Sequence, residues 1–525
     1  MAHTDQSEGG IVETLQSLIV AFVLAMTFRG FVAEGFVIPT GSMAPTLMGQ
    51  HRLIHSDVTG YTFPIGLDQR ESAGYSASID PMLGPGYPVD GLRPVQEMPR
   101  QGDRILVLKT IYPFAQPKRW DVVVFKNPTD PKGEAGNYIK RLIGLPNETV
   151  WIVDGDIFVR ENDSSAFTIQ RKPEHVQRNI WQPVHHSDFA MVKSHSLRRA
   201  YAGPPWQGDG WDVSGRAYRS DTAEPTVLRW DSSVRRLDDW AMYNMLLGAG
   251  AIDRRPQQMP AGDVRIRAGI VPDQAGLETT LELRARGHLF EYSIGGGQAR
   301  VRYRGLHNDQ WIDQATAPID GPMPGRVMNV DFWHVDQSMR LFINDREIVR
   351  MDYNWSPIER LENATGETDS DAVRAAWIGR LRDSEVQWKF SGSPVTLHRV
   401  QTDRDVYYRG GVLQDLGERE NPTRPQYATL VENGSYGFGT HPDKLAVLGP
   451  DHFFMLGDNS QASLDSRVWK NPHPLVAEQI DDAPFVAHRK LLLGKAWVVY
   501  FPAMHAMTPK GPAIVPDFGR LRYIR

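Results

Sequence analysis

Short runs of β-branched and aromatic residues, each ended by glycine, proline or asparagine, recur through most of this sequence. Between residues 103 and 160 the sequence predicts strands over 104–109, 121–125, 138–143, 149–153 and 157–159, and it predicts a last strand over 495–501. Strands joined by such close turns pair with their neighbours in antiparallel order. The chain has 525 residues, of which 41% are hydrophobic, so it can fill more than one core. We therefore predict a mainly β protein of several domains.

The composition changes between about residues 162 and 401, although the strand pattern continues. Runs over 281–286, 289–294, 300–304, 327–335, 339–343 and 347–351 predict successive strands, with Asn344 and Asp345 in a tight hairpin turn. Evenly spaced short strands favour a β-sandwich, and residues 330–353 resemble the strand pairs of concanavalin-type, laminin-G-like sandwiches. We predict an inserted β-sandwich domain over 162–401 that begins and ends in polar stretches, folds on its own and is dispensable for chemistry.

An apolar segment over 11–28 follows a polar stub, 1–10, and ends at Arg29. A helix of this length spans about 27 Å, close to the ~30 Å hydrocarbon core of a bilayer. We predict a transmembrane anchor over 11–29. A short buried helix and a cleavable signal peptide are the alternatives, and the stub has no lysine or arginine for a signal peptide. Taken alone, Arg29 weakly favours the cytoplasmic side of the membrane for the part of the chain that follows it.

Composition excludes several other classes of function. Fifty-eight basic and 63 acidic side chains give a net charge of −5, which disfavours a nucleic-acid binder led by a basic patch. Cysteine is absent, so there is no disulfide, thiolate metal site or cysteine nucleophile. No His-Glu-x-x-His motif occurs, and the sequence predicts neither a metal nor a cofactor.

Three motifs carry the candidate chemistry. Residues 38–47 read IPTGSMAPTL, residues 137–146 read NYIKRLIGLP, and residues 457–467 read GDNSQASLDSR. In this order and behind an apolar segment, they resemble the nucleophile, general-base and third signature motifs of type I signal peptidases. The resemblance covers 12–53, 101–160 and 405–505. It implies a signal-peptidase-like antiparallel β catalytic core.

The residue chemistry of the first two motifs agrees with that resemblance. Pro39 and Pro45 would hold Ser42 on a stiff loop. A serine hydroxyl needs a base to take its proton, and none of the 16 histidines lies in a recognisable triad context. Lys140 is the candidate base, because it shares a strand face with Tyr138 and would be poorly solvated there. Desolvation lowers a lysine pKa from about 10.4 toward neutrality. Seen alone, a serine such as Ser42 is more often an ordinary turn residue, and a lysine such as Lys140 is more often a surface residue.

The resemblance also implies further roles. Thr40, two residues before the nucleophile, would supply the second donor of an oxyanion hole. Ser463 would hydrogen-bond and orient the ammonium group of Lys140. Three residues would support the site, the last two as an ion pair: Asp458, Asp465 and Arg467. A calcium loop is the alternative for the third motif, but its acidic residues are too few and too irregularly spaced.

Two departures from the family pattern affect the substrate region. Trp120 stands beside Asp121 where the family has glycine, and an irregular insertion over 55–100 follows the nucleophile segment. The predicted layout is a cytoplasmic stub (1–10), an anchor (11–29), a catalytic core (30–161 and 402–510), the inserted domain (162–401) and a C-terminal tail (511–525).

The resemblance implies a membrane-bound serine endopeptidase that removes N-terminal signal peptides from exported preproteins. Its partners would be signal peptides with small residues before the cleavage site, and the lipid bilayer. It would lie in the cytoplasmic membrane, with the catalytic domain on the extracytoplasmic side. A membrane-tethered binding protein with an inactive peptidase fold is the first rival hypothesis. A self-cleaving repressor-type protease is the second, opposed by the anchor and the lack of DNA-binding helices.

Overall fold

The computed structural model is mainly β, as the sequence predicts, and its strand pairs are antiparallel. It describes residues 5–27, 30, 32–67, 77–84, 87–95, 99–133, 136–161, 164, 166–189, 197, 201–244, 258–410, 436–501, 504–506, 514–516 and 518–524. Within these ranges the helices of at least four residues are α1 (Asp5–Thr27), α2 (Ile111–Phe114), α3 (Glu174–Ile180), α4 (Pro357–Thr365), α5 (Asp369–Trp377) and α6 (Pro474–Gln479).

The strands fall into three stretches of chain. The first holds β1 (Ala33–Val37), β2 (His51–His55), β3 (Thr62–Gly66), β4 (Ala77–Ile79), β5 (Pro88–Pro94), β6 (Arg104–Leu108), β7 (Val122–Lys126), β8 (Asn137–Gly144), β9 (Glu148–Val153), β10 (Asp156–Glu161) and β11 (Thr168–Ile169). The middle holds β12 (Gln182–His186), β13 (Trp206–Gln207), β14 (Trp211–Asp212), β15 (Ala217–Ser220), β16 (Thr226–Trp230), β17 (Val264–Pro272), β18 (Glu278–Ala285), β19 (His288–Gly295), β20 (Gln298–Gly305), β21 (Asp313–Pro318), β22 (Met328–Val335), β23 (Ser338–Ile343), β24 (Arg346–Asp352), β25 (Glu385–Ser391) and β26 (Val395–Arg404). The last holds β27 (Ala446–Val447), β28 (His452–Leu456), β29 (Ala487–His488), β30 (Leu492–Phe501), β31 (Met504–Ala506), β32 (Ile514–Pro516) and β33 (Arg522–Tyr523).

One sheet, here called the core sheet, joins the two ends of the chain in the order β1-β6-β30-β7-β8-β28-β29, with β33 on β30. Its central strand β7 is apolar on both faces. Val122 and Val124 pack with Ile105, whereas Val123 and Phe125 pack in a second cluster on the other face. Because side chains alternate along a strand, the continuous apolar run in β7 reflects burial of both faces. The end of the predicted tail also returns to this sheet as β33.

The stretch 55–100, expected to be irregular, instead contributes most of a four-stranded sheet in the order β3-β2-β5-β4. Its core includes Ile54, Phe63, Ile65 and Leu92. The strands are short and interrupted by glycine and proline, so no sequence period of two is visible over them. A further sheet of four runs β11-β10-β9-β27.

The middle stretch forms two sheets of its own. One runs β14-β15-β26-β17-β22-β23-β24, with β12 on β26, and the other runs β13-β16-β25-β18-β19-β20-β21. Apolar residues of both sheets, among them Trp206, Phe332 and Trp388, meet in a single core. All six strands predicted here are confirmed, and Asn344 and Asp345 form the predicted two-residue turn with φ of 48° and 63°.

The junction between this two-sheet unit and the rest of the chain is buried. Helix α3 lies inside the predicted insert, yet Val176 and Ile180 pack with strands β9 and β10. Arg360 of α4 donates to Asp154 at 2.9 Å and to Asp156 at 2.7 Å. The unit therefore contacts the remaining chain through buried apolar and ionic groups.

Helix α1 covers most of the predicted anchor. Its side chains from Val12 onward are exposed, with about two thirds of the Leu18 and Leu24 side chains accessible. Among the described residues, no helix combines the length and apolar character needed to cross a membrane, so the predicted anchor is not confirmed. Residues 28 and 29 of the predicted span lie outside the described residues.

Candidate active site

Ser42 lies in a single turn of 3₁₀ helix, Gly41–Met43, which begins shortly after the edge strand β1 ends at Val37. Packing of neighbouring side chains fixes the turn, because Met43 and Leu47 are fully buried in the cluster that contains Ile105. Ser42 itself is only 8% exposed. Its N–H makes no backbone hydrogen bond to any described residue. The turn thus holds a buried serine hydroxyl in place while leaving its amide donor available.

Lys140 reaches this serine from strand β8. Its Nζ donates to Ser42 Oγ at 2.7 Å, although the two residues are 98 positions apart in the chain. The pairing of Val123 with Lys140 sets the height of the lysine in the core sheet. Lys140 is 4% exposed, and Nζ lies 5.3 Å from the centre of the Tyr138 ring. Burial lowers the pKa of Lys140 to about 8, and the Asp465 carboxylate opposes this effect.

The loop 457–467, which follows β28, lies directly against the serine turn. The Asn459 N–H donates to Ser42 O at 3.0 Å, and Asn459 Nδ2 donates to Gly41 O at 3.0 Å. A Cβ on Gly457 would lie 2.4 Å from Ser42 O and 2.2 Å from Ser463 Oγ. Only glycine therefore allows this close approach of the loop to the turn.

Asp458 is buried and paired with a residue that the sequence analysis missed. Arg141 donates to the two carboxylate oxygens of Asp458 at 2.7 and 2.6 Å, and Thr46 Oγ1 also donates to that carboxylate. Arg141 follows Lys140 directly in strand β8. In the sequence Arg141 resembles half of an ordinary basic pair, and only the fold shows that it is buried and paired with Asp458.

The predicted ion pair of Asp465 and Arg467 is present and buried. Two nitrogens of Arg467 donate to the two oxygens of Asp465, each at 2.8 Å. Asp465 Oδ2 also accepts from Gly457 N at 3.0 Å. Arg467 donates in addition to the carbonyl oxygens of Arg409 and Ser460, at 2.8 and 2.9 Å. This pair braces both ends of the loop that contacts Ser42.

Ser463 is buried, whereas Thr40 is exposed. Ser463 Oγ is buried and has no hydrogen-bond partner among the described residues, so the expected bond to Lys140 is absent here. The physical reason is that Lys140 Nζ is directed at Ser42, while Ser463 lies beside Gly457. Thr40 is exposed and extended, with φ of −119°, immediately before the serine turn.

Trp120 occupies the expected glycine position with a φ of 75°. This left-handed backbone is costly for a bulky residue, and the surroundings hold it in place. Trp120 N donates to Leu142 O at 2.8 Å, and Trp120 O accepts from Arg141 Nη1 at 2.8 Å. The backbone geometry that suits glycine is therefore kept, with a tryptophan side chain added.

A cluster of four buried carboxylates lies at the junction with the two-sheet unit. Their oxygens all lie within 4.8 Å of one another, and the residues are Asp156, Asp263, Asp336 and Asp405. Lys172 and two arginines pair with them, including Lys172 to Asp405 at 2.9 Å. Burial and the neighbouring Asp263 carboxylate hold the pKa of Asp156 well above its usual value. These side-chain cations already compensate the charge that a metal ion would otherwise balance.

A family model described as signal peptidase, peptidase S26, matches residues 11–69 and 90–200. These ranges include Ser42, Lys140 and Arg141, whose contacts are given above. Over these residues the chain is similar to signal peptidases. Loop 457–467 lies outside the matched ranges and contacts the Ser42 turn only through the fold.

Curated relatives with the name signal peptidase I match part of the chain. Signal peptidase I of Pseudomonas aeruginosa is 28% identical over 27% of this chain and 34% of its own length. Signal peptidase I of Leptolyngbya laminosa is 25% identical over 33% of this chain and 62% of its own length. The chain thus spans between one third and two thirds of the length of these relatives.

Solved structures match at low similarity. The galectin LEC-6 of Caenorhabditis elegans is 11% identical, with a TM-score of 0.18, over 29% of this chain and 86% of its own. The carbohydrate binding module CBM66 of Bacillus subtilis is 9% identical, with a TM-score of 0.22, over 38% of this chain and 95% of its own.

Proposed function

We propose that this chain is a membrane-bound serine endopeptidase that removes N-terminal signal peptides from exported preproteins. The observation that carries the proposal is the 2.7 Å contact between Lys140 Nζ and Ser42 Oγ in a buried setting. A lysine with a pKa of about 8 is neutral in a useful fraction of molecules near pH 7 and can accept a proton. The family match and the two relatives named signal peptidase I support the choice of substrate.

The reaction we assign to these residues proceeds through an ester of Ser42. Neutral Lys140 takes the proton of Ser42 as Oγ attacks the carbonyl carbon of the scissile peptide. The Ser42 N–H and the Thr40 hydroxyl donate to the resulting oxyanion. The Lys140 ammonium then protonates the leaving amine, and the peptide C–N bond breaks. In the second half, Lys140 takes a proton from water as the water oxygen attacks the ester carbonyl. The bond between the acyl carbon and Ser42 Oγ then breaks, the Lys140 ammonium returns the proton to Ser42 Oγ, and the signal peptide is released.

We place the substrate as an added strand on the side of β1 that no described strand occupies. Strand β1 lies at one edge of the core sheet and ends at Val37, shortly before the Ser42 turn. An extended peptide paired with β1 would bring its scissile carbonyl to that turn. Shallow pockets beside the turn would accept small residues, as in the Ala-x-Ala pattern before cleavage sites.

Cleavage by the purified full-length chain in detergent tests the proposal. A preprotein with alanine at positions −3 and −1 is expected to be cut once, directly after the −1 alanine, as read by mass spectrometry of both products. Ser42→Ala is the matched control and is expected to leave only background cleavage. Absence of cleavage by a folded sample, or equal cleavage by Ser42→Ala, would contradict the proposal.

We also propose that residues 11–29 anchor the chain in the cytoplasmic membrane, with the core sheet on the extracytoplasmic side. The support is the apolar sequence of 11–28 and the exposure of large apolar side chains on α1, including Leu18, Phe22 and Leu24. An apolar helix face without protein contacts is stable when lipid covers it. The family resemblance decides the orientation.

Membrane extraction and protease accessibility test the anchor. The full chain is expected to stay in the membrane pellet after an alkaline carbonate wash, whereas a chain without residues 1–29 is expected to be released. Protease added to intact spheroplasts is expected to digest the region after Arg29. Complete protection of that region would overturn the orientation, and release of the full chain by carbonate would overturn the anchor.

The two-sheet unit β12–β26 is, in our proposal, an inserted β-sandwich of the concanavalin or laminin-G type. Its support is the shared core between an eight-stranded and a seven-stranded antiparallel sheet. Its insertion between β8 and β28 leaves the strands that hold Lys140 and loop 457–467 hydrogen-bonded to each other.

A further inference from the structure

One segment of the two-sheet unit reaches the Ser42 turn. Residues 239–244, here called the arm, lie between β16 and β17 in the chain. The ring of Tyr243 lies between two glycines: a Cβ on Gly41 would fall 2.1 Å from Tyr243 Cε1, and one on Gly66 would fall 2.3 Å from it. Tyr243 is 9% exposed and packs with Ala44 and Met48. The arm therefore covers the turn on the side of Gly41.

The next residue of the arm, Asn244, forms hydrogen bonds with loop 457–467, which packs against the Ser42 turn. Asn244 Nδ2 donates to Asn459 Oδ1 at 2.8 Å, and Asn459 Nδ2 donates back to Asn244 Oδ1 at 2.7 Å. Asn459 uses its second amide hydrogen on Gly41 O and its backbone N–H on Ser42 O, both at 3.0 Å. The Asn459 side chain thus has its donors and its acceptor engaged, and Asn459 connects the arm to Gly41 and Ser42 of the turn.

The base of the arm is held by the same region. Arg409 Nη2 donates to Asp239 Oδ1 at 2.8 Å, and Arg404 Nη2 donates to Asp239 O at 3.0 Å. Gln461, in loop 457–467, also donates to Asp239 O. The carbonyl oxygen of Arg409 accepts a hydrogen bond from Arg467 Nη1 at 2.8 Å. Both ends of the arm are therefore fixed to the loop that packs on the serine turn.

We propose that the arm positions the nucleophile, with Asn244 acting as a positioning residue through Asn459. The inference rests on the proposed peptidase function and adds to it. An amide that is held from two sides cannot rotate, so the carbonyl groups of Gly41 and Ser42 keep one orientation. That orientation sets the direction of Ser42 Oγ toward Lys140 and the direction of the Ser42 N–H. Part of the two-sheet unit is thus required for full turnover, contrary to the expectation of a dispensable insert.

The central experiment is the turnover of Asn244→Ala on a peptide or preprotein substrate. The variant is expected to lower kcat roughly 5- to 30-fold, the scale of one or two lost hydrogen bonds, and to leave KM within about twofold. A change confined to kcat separates altered geometry of the serine turn from lost substrate contacts. Asn329→Ala is the matched control: it removes an amide contact to Asn344 on an exposed hairpin of the same unit and should match the native chain.

A double-mutant cycle shows whether Asn244 acts through Asn459. In the Asn459→Ala background, Asn244→Ala is expected to cause no further loss of kcat. Hydrogen exchange gives a readout without catalysis. Asn244→Ala is expected to speed exchange of the Ala44 amide, which donates to Gly41 O at 3.0 Å, with the melting temperature changed by only a few degrees. Asn244→Asp, which loses the donor but keeps the size, must also lower kcat.

The outcomes separate this inference from the proposed function. Native cleavage that Ser42→Ala abolishes, together with normal kcat and normal exchange in Asn244→Ala and Asn244→Asp, would overturn the positioning role and leave the peptidase intact. Additive losses in the cycle would overturn the route through Asn459. Cleavage that survives Ser42→Ala would overturn the proposed function itself.

Discussion

Lys140→Arg is expected to reduce kcat by roughly 10⁴- to 10⁶-fold, the scale on which serine peptidases lose activity when the nucleophile or its base is removed. The change keeps a positive charge near Ser42 but removes the base, because a guanidinium has a pKa above about 12 and keeps its proton. The extra bulk also has no room, since Lys140 is buried and in contact with Ser42. The measurement is single-substrate turnover at saturation, with folding checked by circular dichroism.

The pH profile of the native chain tests the same base independently. Since burial lowers the pKa of Lys140 to about 8, the neutral amine makes up about a tenth of molecules at pH 7 and about nine tenths at pH 9. The ratio kcat/KM is therefore expected to rise through pH 8 and to level off above pH 9. Near-normal turnover in Lys140→Arg, or a native profile that falls over this range, would rule out Lys140 as the base.

The strands and the two central site residues are the parts of this molecule that the sequence predicts well. Strand β23 and strand β24 flank Asn344 and Asp345, whose tolerance of positive φ marks the turn locally. Ser42 and Lys140 each stand in a motif of about ten residues that resembles a known family, so their partnership could be inferred without a fold. The turn residues alone are enough to predict the hairpin, and the short motifs are enough to predict the pairing of Ser42 with Lys140.

Contacts between distant segments are the parts that could not be predicted. Asn244 and Asn459 are 215 positions apart, and although Asn459 stands in the third motif, nothing in the sequence pairs it with Asn244. Arg141 beside Lys140 resembles an ordinary basic pair until Asp458, 317 positions away, is brought next to it. Ser463 depends on packing in the same way, because its buried Oγ lies beside Gly457 and does not make the hydrogen bond to Lys140 that the resemblance implies. Each outcome depends on tertiary packing rather than on local sequence.

Thr40→Ala is expected to lower kcat by roughly 10²- to 10³-fold, the usual loss when one oxyanion donor is removed. Attack by Ser42 places a negative charge on the substrate oxygen, and the Ser42 N–H alone supplies one donor. Thr40 immediately precedes the turn and is exposed, so its hydroxyl can reach a substrate there without the removal of a buried partner. The charge develops only in the transition state, so KM should change little.

Thr40→Ser and Thr40→Val are the matched variants for this assignment. Serine keeps the hydroxyl and is expected to retain most of the native kcat, whereas valine keeps the branched shape without the donor and should be as slow as alanine. This pattern separates hydrogen bonding from packing, because a packing role would favour valine over serine. Native turnover in Thr40→Ala would remove Thr40 as the second donor and leave the roles of Ser42 and Lys140 unchanged, since those rest on their own 2.7 Å contact.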